Sequence, residues 1–285
     1  MGDETTTDAE SWIAALGLPR HERLLRELIA HAYDDARIRF VELACSVARG
    51  AGDELSDLDL GIGIEDEAWP AALDDLSIAL QRMGELVDVL EHEIGSWAGV
   101  PHRRYFVQFA DLGQLDLVAM PASTRAGLPP GSVALYDPDR RLSTRIAPRQ
   151  ARASADDVRE WAFEAYVALL NMDKYLRRGS LWEALEQLHA GRTQAWRLWA
   201  VARDVAFPVF GLTAVLDEEQ AGSPPGLEAT VAALTADALR SAGSALLEIL
   251  DAIGPTAAAR AGAAHPDGMR RFVARRWRMT SPASR

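Results

Sequence analysis

The hydrophobic pattern of the chain changes at a proline-rich stretch, and this change limits the fold to two dissimilar parts. Before residue 121, alternating and β-branched runs are interleaved with helical stripes, which is typical of a mixed sheet with helices. After residue 150, apolar residues recur at helical spacing. We therefore predict an α/β (α+β) domain with a mixed sheet over 1–121, a linker over 122–150 and an all-α domain over 151–285. Proline disfavours both helix and central strand, and the stretch contains Pro121, Pro129, Pro130, Pro138 and Pro148.

The same patterns predict individual elements in each part. In the first part we expect helices over 21–36 and 70–83 and strands over 38–44, 57–64, 85–91, 104–109 and 115–120. The last two strands flank the turn DLGQ, so we expect them to form a hairpin. In the second part we expect a basic C-terminal segment from Arg270, preceded by helices over 154–178, 181–206 and 227–253.

Charge and cysteine content exclude several classes of protein. The chain carries 30 basic and 42 acidic side chains, a formal charge of −12, so it has no overall positive field to hold a nucleic-acid polymer. Cys45 is the one cysteine, so no disulfide forms within the chain and a reducing compartment is expected. No apolar run reaches the ~18 residues of a membrane span, and the acidic start of the chain lacks the features of a signal peptide. We therefore expect a cytoplasmic protein with no membrane or nucleic-acid partner.

Three acidic residues follow strand alternation in a way that predicts a metal site. Asp57 and Asp59 alternate with two leucines, so both carboxylates project from one face of a strand while the leucines face a core. Asp116 lies between apolar neighbours in a later strand. Paired carboxylates repel each other unless protons or cations intervene, and Mg²⁺ with oxygen ligands is the simplest such cation. A solvated strand face is the alternative interpretation.

Ser46 and Arg49 lie in the turn that follows the first predicted strand. Backbone N–H groups at such a strand-to-helix turn are free to hold phosphate oxygens, and Ser46 is placed to contact phosphate or to cap the helix. Arg49 either clamps phosphate or pairs with Asp53 or Glu54. The turn and the three acids together predict a site for a metal-bound nucleoside triphosphate.

The stretch CSVARGAGDELSDLDLGIGI, residues 45–64, resembles the signature of the DNA polymerase β-type nucleotidyltransferase superfamily. The resemblance covers about 37–121 and implies that Ser46 contacts the triphosphate and that Asp57 and Asp59 bind Mg²⁺ (or Mn²⁺). It makes Asp116 the third carboxylate, a metal ligand or a base. Cys45 stands where the family usually has glycine, so a positive φ at this position would strain the backbone.

The length and the order of the two parts resemble the small-molecule branch of that superfamily, which modifies aminoglycoside or lincosamide antibiotics. The stretch NMDKYLRRGSLWEAL resembles the helical domain of streptomycin-type adenylyltransferases, in which a basic residue reaches the triphosphate. Lys174, the one lysine of the chain, is our candidate, on one helical face with Asn171 and Glu160. A solvated surface lysine is the alternative.

The resemblance implies an enzyme that transfers a nucleoside monophosphate, AMP from ATP as co-substrate, to a hydroxyl of a small molecule and releases pyrophosphate. Two alternatives stay open: a protein-modifying, antitoxin-like nucleotidyltransferase, and a catalytically silent nucleotide-binding protein. The acceptor and the oligomeric state stay open as well. A cationic acceptor would suit the acidic residues of the first two C-terminal helices, Glu160, Glu164, Asp173 and Glu183.

Arg192 lies on the apolar stripe of a predicted helix, beside Leu188 and Ala195. A cation at such a position is expected to be paired with an acid or to face a ligand. The ion pair is the simpler prediction.

Overall fold

A computed structural model describes residues 9–97, 100–146, 152–218 and 220–280. The chain divides into two compact units, 1–148 and 149–285, and each has its own hydrophobic core. The expectations about the first eight residues and about the end of the predicted linker fall on 1–8 and 147–151, outside the described residues. Within the described ranges, every helix is too short or too polar to span a membrane.

The first unit has the mixed sheet and the flanking helices that the pattern predicted. All seven helices and strands predicted before residue 121 are present, although the third strand ends later and the fourth begins earlier than expected. In chain order the elements are α1 Ala9–Ala14, α2 Pro19–Asp34, β1 Ile38–Leu43, α3 Cys45–Ala48, β2 Leu58–Ile64, α4 Trp69–Gln81, β3 Leu86–Trp97, β4 Val100–Phe109, β5 Gln114–Pro121 and β6 Val133–Tyr136.

The six strands form one sheet in the order β3-β4-β5-β2-β1-β6. The strands β4 and β5 pair antiparallel across the predicted hairpin turn. The central strands β2 and β5 are parallel, whereas every other pair in the described sheet is antiparallel. Because parallel strands begin at the same edge of a sheet, the first residues of β2 and β5 lie side by side.

The two faces of the sheet are covered differently. One face packs against α2 and α4, so that Leu58 and Leu117 join Leu28 and Leu76 in the main core. On the other face, a smaller cluster forms where Phe40 is covered by apolar residues of the 122–146 segment, among them Leu128 and Leu142. The start of β2 and β5 lies outside that smaller cluster.

The 122–146 segment is not a free linker as predicted. It supplies β6, which pairs with β1 at the edge of the sheet. The proline argument excluded helix and central strand, but an edge strand tolerates neighbouring prolines because one of its sides makes no ladder hydrogen bonds. The apolar side chains between the prolines then bury Phe40, and this burial holds the segment on the first unit.

The second unit is helical, with α5 Ala155–Arg178, α6 Leu181–Ala202, α7 Leu212–Leu216, α8 Ala236–Ala261 and α9 Asp267–Thr280. The prediction for α5 is confirmed: Ser154 and Asp157 form a capping box at its start, and Gly179 ends it in the left-handed conformation. The predicted helix over 227–253 is wrong at both ends. Thr235 caps α8 later, and the helix continues through Pro255 because its far side, including Ala257, is buried in the core.

Candidate functional site

The three acids predicted as metal ligands converge at the start of β2 and β5. Asp59 and Asp116 are register partners across the parallel pair, and Asp57 comes directly before β2. One carboxylate oxygen from each of the three lies within 4.8 Å of the others, and all three residues are half-buried. The alternating neighbours Leu58 and Leu115 are fully buried on the opposite face. The sheet therefore presents three carboxylates on one surface.

The carboxylates of the cluster repel one another, and the pKa of Asp59 reflects this repulsion. Loss of hydration raises the pKa of Asp59, and the negative charges of Asp57 and Asp116 raise it further. A hydrogen bond from the Cys45 thiol and the charge of Arg104 act in the opposite direction. Hard oxygen donors that repel one another are the donor set that Mg²⁺ or Mn²⁺ prefers. The residues present thus fit a divalent cation.

Arg104 binds the third acid of the cluster, and the sequence reasoning did not identify it. Its guanidinium donates two hydrogen bonds to the Asp116 carboxylate, with Nε 2.6 Å from Oδ1 and Nη2 on Oδ2. The Arg104 side chain is 40% exposed and that of Asp116 15%. The hairpin register could have indicated this contact. Phe106 pairs with Asp116, and Arg104 lies two residues before Phe106, so its side chain is on the same face of the sheet as Asp116.

The turn after β1 is tied to the acid cluster through Cys45. The N–H of Ala44 donates to the carbonyl of Asp59 at 2.9 Å, and the Cys45 thiol donates to the Asp59 carboxylate. Cys45 has a φ of 57°, so the positive φ suspected from the family pattern is present at a residue with a Cβ. Partial desolvation, followed by the charge of Asp59, raises the pKa of this exposed thiol to about 12. The thiol is therefore protonated at neutral pH.

Ser46 and Arg49 belong to the same turn. Ser46 is half-buried in α3, directly after Cys45. Arg49 is exposed, and its charge acts on the Cys45 thiol. Asp53, one of the two acids considered as a partner of Arg49, accepts hydrogen bonds from the Leu55 N–H at 2.9 Å and from the Ser56 hydroxyl at 3.2 Å. Contacts of Ser46 and Arg49 with phosphate stay predictions.

Lys174 lies on α5 in the helical unit. Its Nζ donates to Asn171 Oδ1 at 2.9 Å and lies 4.5 Å from the centroid of the Tyr175 ring. Its contact with a triphosphate stays a prediction. One of the acids expected to favour a cationic acceptor does not face solvent: the Asp173 side chain is 1% exposed and is held by three arginines, Arg177, Arg240 and Arg276.

A buried ion pair on the site face of the sheet was also missed. Glu42 of β1 pairs with Arg125, Oε1 to Nη2 at 2.9 Å, and its side chain is 6% exposed. Burial raises the pKa of Glu42, whereas the charge of Arg125 lowers it in part. Glu42 lies opposite Gly61 of β2, where any Cβ would come within 2.7 Å of its carboxylate. The signal in the sequence was a lone acid inside an apolar strand.

Comparisons with known proteins do not assign the chain to a family. No family model and no curated protein matches the sequence. Among solved structures, the chain is similar to an aminoglycoside 6-adenyltransferase from Bacillus subtilis, with 16% identity, 90% of this chain and 96% of that chain covered, and a TM-score of 0.41. Because this similarity is low, the chemistry of the site has to be derived from the chain's own residues.

Proposed function

We propose that the chain is a metal-dependent nucleotidyltransferase that transfers AMP from ATP to a hydroxyl of a small molecule. The observation that carries the proposal is the convergence of Asp57, Asp59 and Asp116 at the start of two parallel strands, beside the turn that contains Ser46. Three half-buried carboxylates that converge repel one another, and Arg104 pairs with Asp116 alone of the three, so a ligand-binding role explains them better than a solvated face does.

Each group of the chain has a distinct role in this proposal. Asp57 and Asp59 hold Mg²⁺ or Mn²⁺, and Asp116 completes the set as a ligand or as the base. Bound cations would lower the pKa of the attacking hydroxyl and stabilise the charge of the departing pyrophosphate. Ser46 contacts the phosphates from the turn, as the sequence resemblance implies. Arg49, exposed in the same turn, clamps the phosphates with its positive charge.

The transfer step exchanges one bond at the α-phosphorus of ATP for another. The acceptor oxygen forms a bond to the α-phosphorus of ATP, the bond from that phosphorus to the pyrophosphate oxygen breaks, and the hydroxyl proton passes to a carboxylate of the cluster. If Asp116 is that carboxylate, it accepts the proton on a lone pair that Arg104 leaves free, because Arg104 makes one contact with each of its oxygens. A movement of Arg104 would open both oxygens of Asp116 to the acceptor.

The proposal is tested without knowledge of the acceptor by measuring nucleotide binding. Isothermal titration calorimetry with the non-reactive analogue α,β-methylene ATP is expected to show binding in the presence of Mg²⁺ and at least tenfold weaker binding when EDTA replaces it. Asp57→Asn is expected to remove this Mg²⁺ dependence, because it removes a ligand charge from the site. Asp74→Asn, which neutralises an exposed acid on α4, is the matched control and should bind as the unmodified protein does.

Turnover is then measured as pyrophosphate release from Mg²⁺ and ATP with a panel of aminoglycosides and lincosamides. We expect release with at least one acceptor and its loss in Asp57→Asn. Unchanged release in that variant, or nucleotide binding indifferent to Mg²⁺, contradicts the proposal.

A catalytically silent nucleotide-binding protein is the second candidate, and the Arg104–Asp116 contact favours it. A guanidinium that permanently neutralises the third acid would leave the fold with phosphate binding but without a complete metal site. Mg²⁺-independent binding of the ATP analogue, combined with no pyrophosphate release, would identify this function.

A further inference from the structure

The helical unit contains a cavity of about 550 Å³ that none of the proposed nucleotide chemistry uses. Residues of α6 line it together with the segment around 209–212 and the turn at 227–231, all within the second unit. Its walls combine two arginines, Arg192 and Arg197, with the aromatic side chains of Trp196 and Phe210. Cavities of this volume, mostly apolar with few polar groups, are typical binding sites of small organic molecules.

Arg192 has no carboxylate partner among the residues that the structure describes. Its Nη2 lies 3.0 Å from Nδ1 of His189 and 3.3 Å from Nε2 of the same ring. A guanidinium only donates, so the imidazole accepts and contributes no negative charge. Desolvation lowers the pKa of Arg192, as is typical of a cation withdrawn from water without an anion beside it. Within the described ranges, the ion pair that the sequence favoured for Arg192 is therefore absent.

Arg197 adds a second positive charge whose contacts in the described structure are neutral. Its Nε donates to the carbonyl of Val209 at 3.0 Å and its Nη1 to Oε1 of Gln194 at 3.2 Å. The guanidinium carbon lies 5.5 Å from the Trp161 ring centroid. Among the described residues that line the cavity, the one acid is the exposed Glu228. An excess of positive charge in a protein of formal charge −12 favours an anion as the occupant.

The aromatic walls indicate the shape of that occupant. Trp196 is 9% exposed and borders the cavity from α6, whereas Phe210 is 65% exposed on the turn Pro208–Phe210. The turn is flanked by positive φ values, 54° at both Phe207 and Gly211. A positive φ is unfavourable at a phenylalanine, and the turn that carries this strain displays Phe210 in water. A flat apolar molecule would shield Phe210 from solvent.

We propose that this cavity binds a small organic anion, in which a carboxylate or phosphate group is carried by a flat apolar body. Arg192 binds the anionic group, and Trp196 and Phe210 contact the apolar body. The site involves the helical unit only, and it goes beyond the nucleotidyl transfer proposed for the acid cluster. Its positive charge excludes a polycation such as an aminoglycoside as the occupant of this cavity.

The test compares three naphthalene derivatives that differ in one group. We expect calorimetric titration of the full-length protein to give saturable binding of 1-naphthoate or 1-naphthyl phosphate and at least tenfold weaker binding of the neutral 1-naphthalenemethanol. Which of the two anions binds more tightly identifies the head group. Arg192→Gln is expected to weaken anion binding about tenfold or more, because it removes one charge-assisted hydrogen bond to the anionic group. The affinity for the neutral alcohol should stay unchanged.

Two further variants control for folding and location. Arg159→Gln removes an arginine of the same unit that donates to the Ala264 carbonyl outside the cavity, and it should bind all three probes normally. Phe210→Ala changes an exposed side chain that contacts the apolar body shared by the three probes. It should therefore weaken the binding of all three by a similar factor. Equal affinities for the alcohol and the anions, no saturable binding, or identical anion binding in Arg192→Gln and Arg159→Gln would overturn the proposal.

Asp57→Asn separates this proposal from the proposed function. We expect this variant to keep its affinity for the naphthalene anions even where it loses the Mg²⁺-dependent ATP analogue. If 1-naphthyl phosphate is the only probe that binds, and Asp57→Asn abolishes its binding, the phosphate occupies the acid cluster and the cavity proposal fails.

Discussion

At the residue scale, Cys45 combines a strained backbone with a hydrogen bond from its thiol to Asp59. A Cβ at a φ of 57° costs about 1–2 kcal/mol, because it crowds the following carbonyl group. The thiol offsets part of this cost through its hydrogen bond to Asp59. The residue therefore couples the geometry of the turn to the acid cluster.

Two substitutions at this position separate the strain from the hydrogen bond. Cys45→Gly and Cys45→Ala both lose the thiol, but only alanine keeps the Cβ. We expect the free energy of unfolding in urea to be about 1 kcal/mol higher for the glycine variant than for the alanine variant.

The neighbouring position should show the opposite order. Ser46 lies within α3, so Ser46→Gly should be less stable than Ser46→Ala, by about 1 kcal/mol, because glycine is the poorer helix former. Equal stability of the two Cys45 variants would show that the turn relaxes and stores no strain.

If the acid cluster binds a metal ion as proposed, Arg104 would compete with it for Asp116. The guanidinium donates to both oxygens of that carboxylate, so a divalent cation bound there would share or displace these contacts. We expect Arg104→Gln to bind Mn²⁺ up to about tenfold more tightly in the absence of nucleotide, as measured by calorimetry. Arg103→Gln is the matched control, because Arg103 pairs with Glu91 and Glu93 instead. Weaker Mn²⁺ binding in Arg104→Gln would mean that Arg104 organises the site rather than competes for it.

At the scale of the elements, one buried carboxylate joins three helices of the second unit. Asp173 of α5 binds Arg177 of the same helix at 2.9 Å, Arg240 of α8 at 3.4 Å and Arg276 of α9 at 2.9 Å. The carboxylate is almost fully buried, whereas two of the three arginines are nearly half exposed. Removal of this carboxylate would leave three neighbouring guanidinium groups, of which that of Arg240 is mostly buried, without the anion they share, which is costly.

We expect Asp173→Asn to lower the free energy of unfolding by about 3 kcal/mol, near the lower end of the effect of breaking a buried pair, because the arginines retain access to water. Denaturation in urea measures the difference. Glu186→Gln, which neutralises an exposed acid on α6, should change stability by less than about 0.5 kcal/mol. A similarly small effect of both substitutions would show that the ion pairs of Asp173 do not stabilise the packing of α5, α8 and α9.

At the scale of the whole molecule, the two hydrophobic cores belong to different stretches of the chain. The main core of the first unit and that of the helical unit share no residue. Leu117 of β5 and Leu188 of α6 are each fully buried, one in each core. Units with separate cores are expected to unfold as separate cooperative segments.

Substituting these two leucines tests that expectation. Leu188→Ala should cost about 3 kcal/mol and accelerate amide hydrogen exchange in α5, α6 and α8, while β2 and β5 exchange as before. Leu117→Ala should give the reverse pattern. Exchange detected by mass spectrometry reports both regions in one experiment. Equal acceleration in both units by either substitution would indicate a single cooperative unit.

Local patterns were enough to predict most elements of the first unit and the acids that lie on β2 and β5. Alternation alone places Asp57 and Asp59 on one face, since successive side chains of a strand point to opposite sides. The boundaries of α8 and the packing of the 122–146 segment on the first unit were not predictable in this way. Thr235, Pro255 and the apolar residues that cover Phe40 act through packing against distant parts of the chain.

The sequence by itself determined which residues can share a face, because a single strand or helix specifies its own periodicity. Only the tertiary structure decided that β2 and β5 are parallel neighbours with Asp59 beside Asp116, that Arg104 holds that acid, and that Arg192 faces a cavity without an acidic partner in the described structure. These contacts join residues from different elements. Their geometry follows from strand pairing and core packing, which depend on the free energy of the whole chain rather than on the pattern of any one segment.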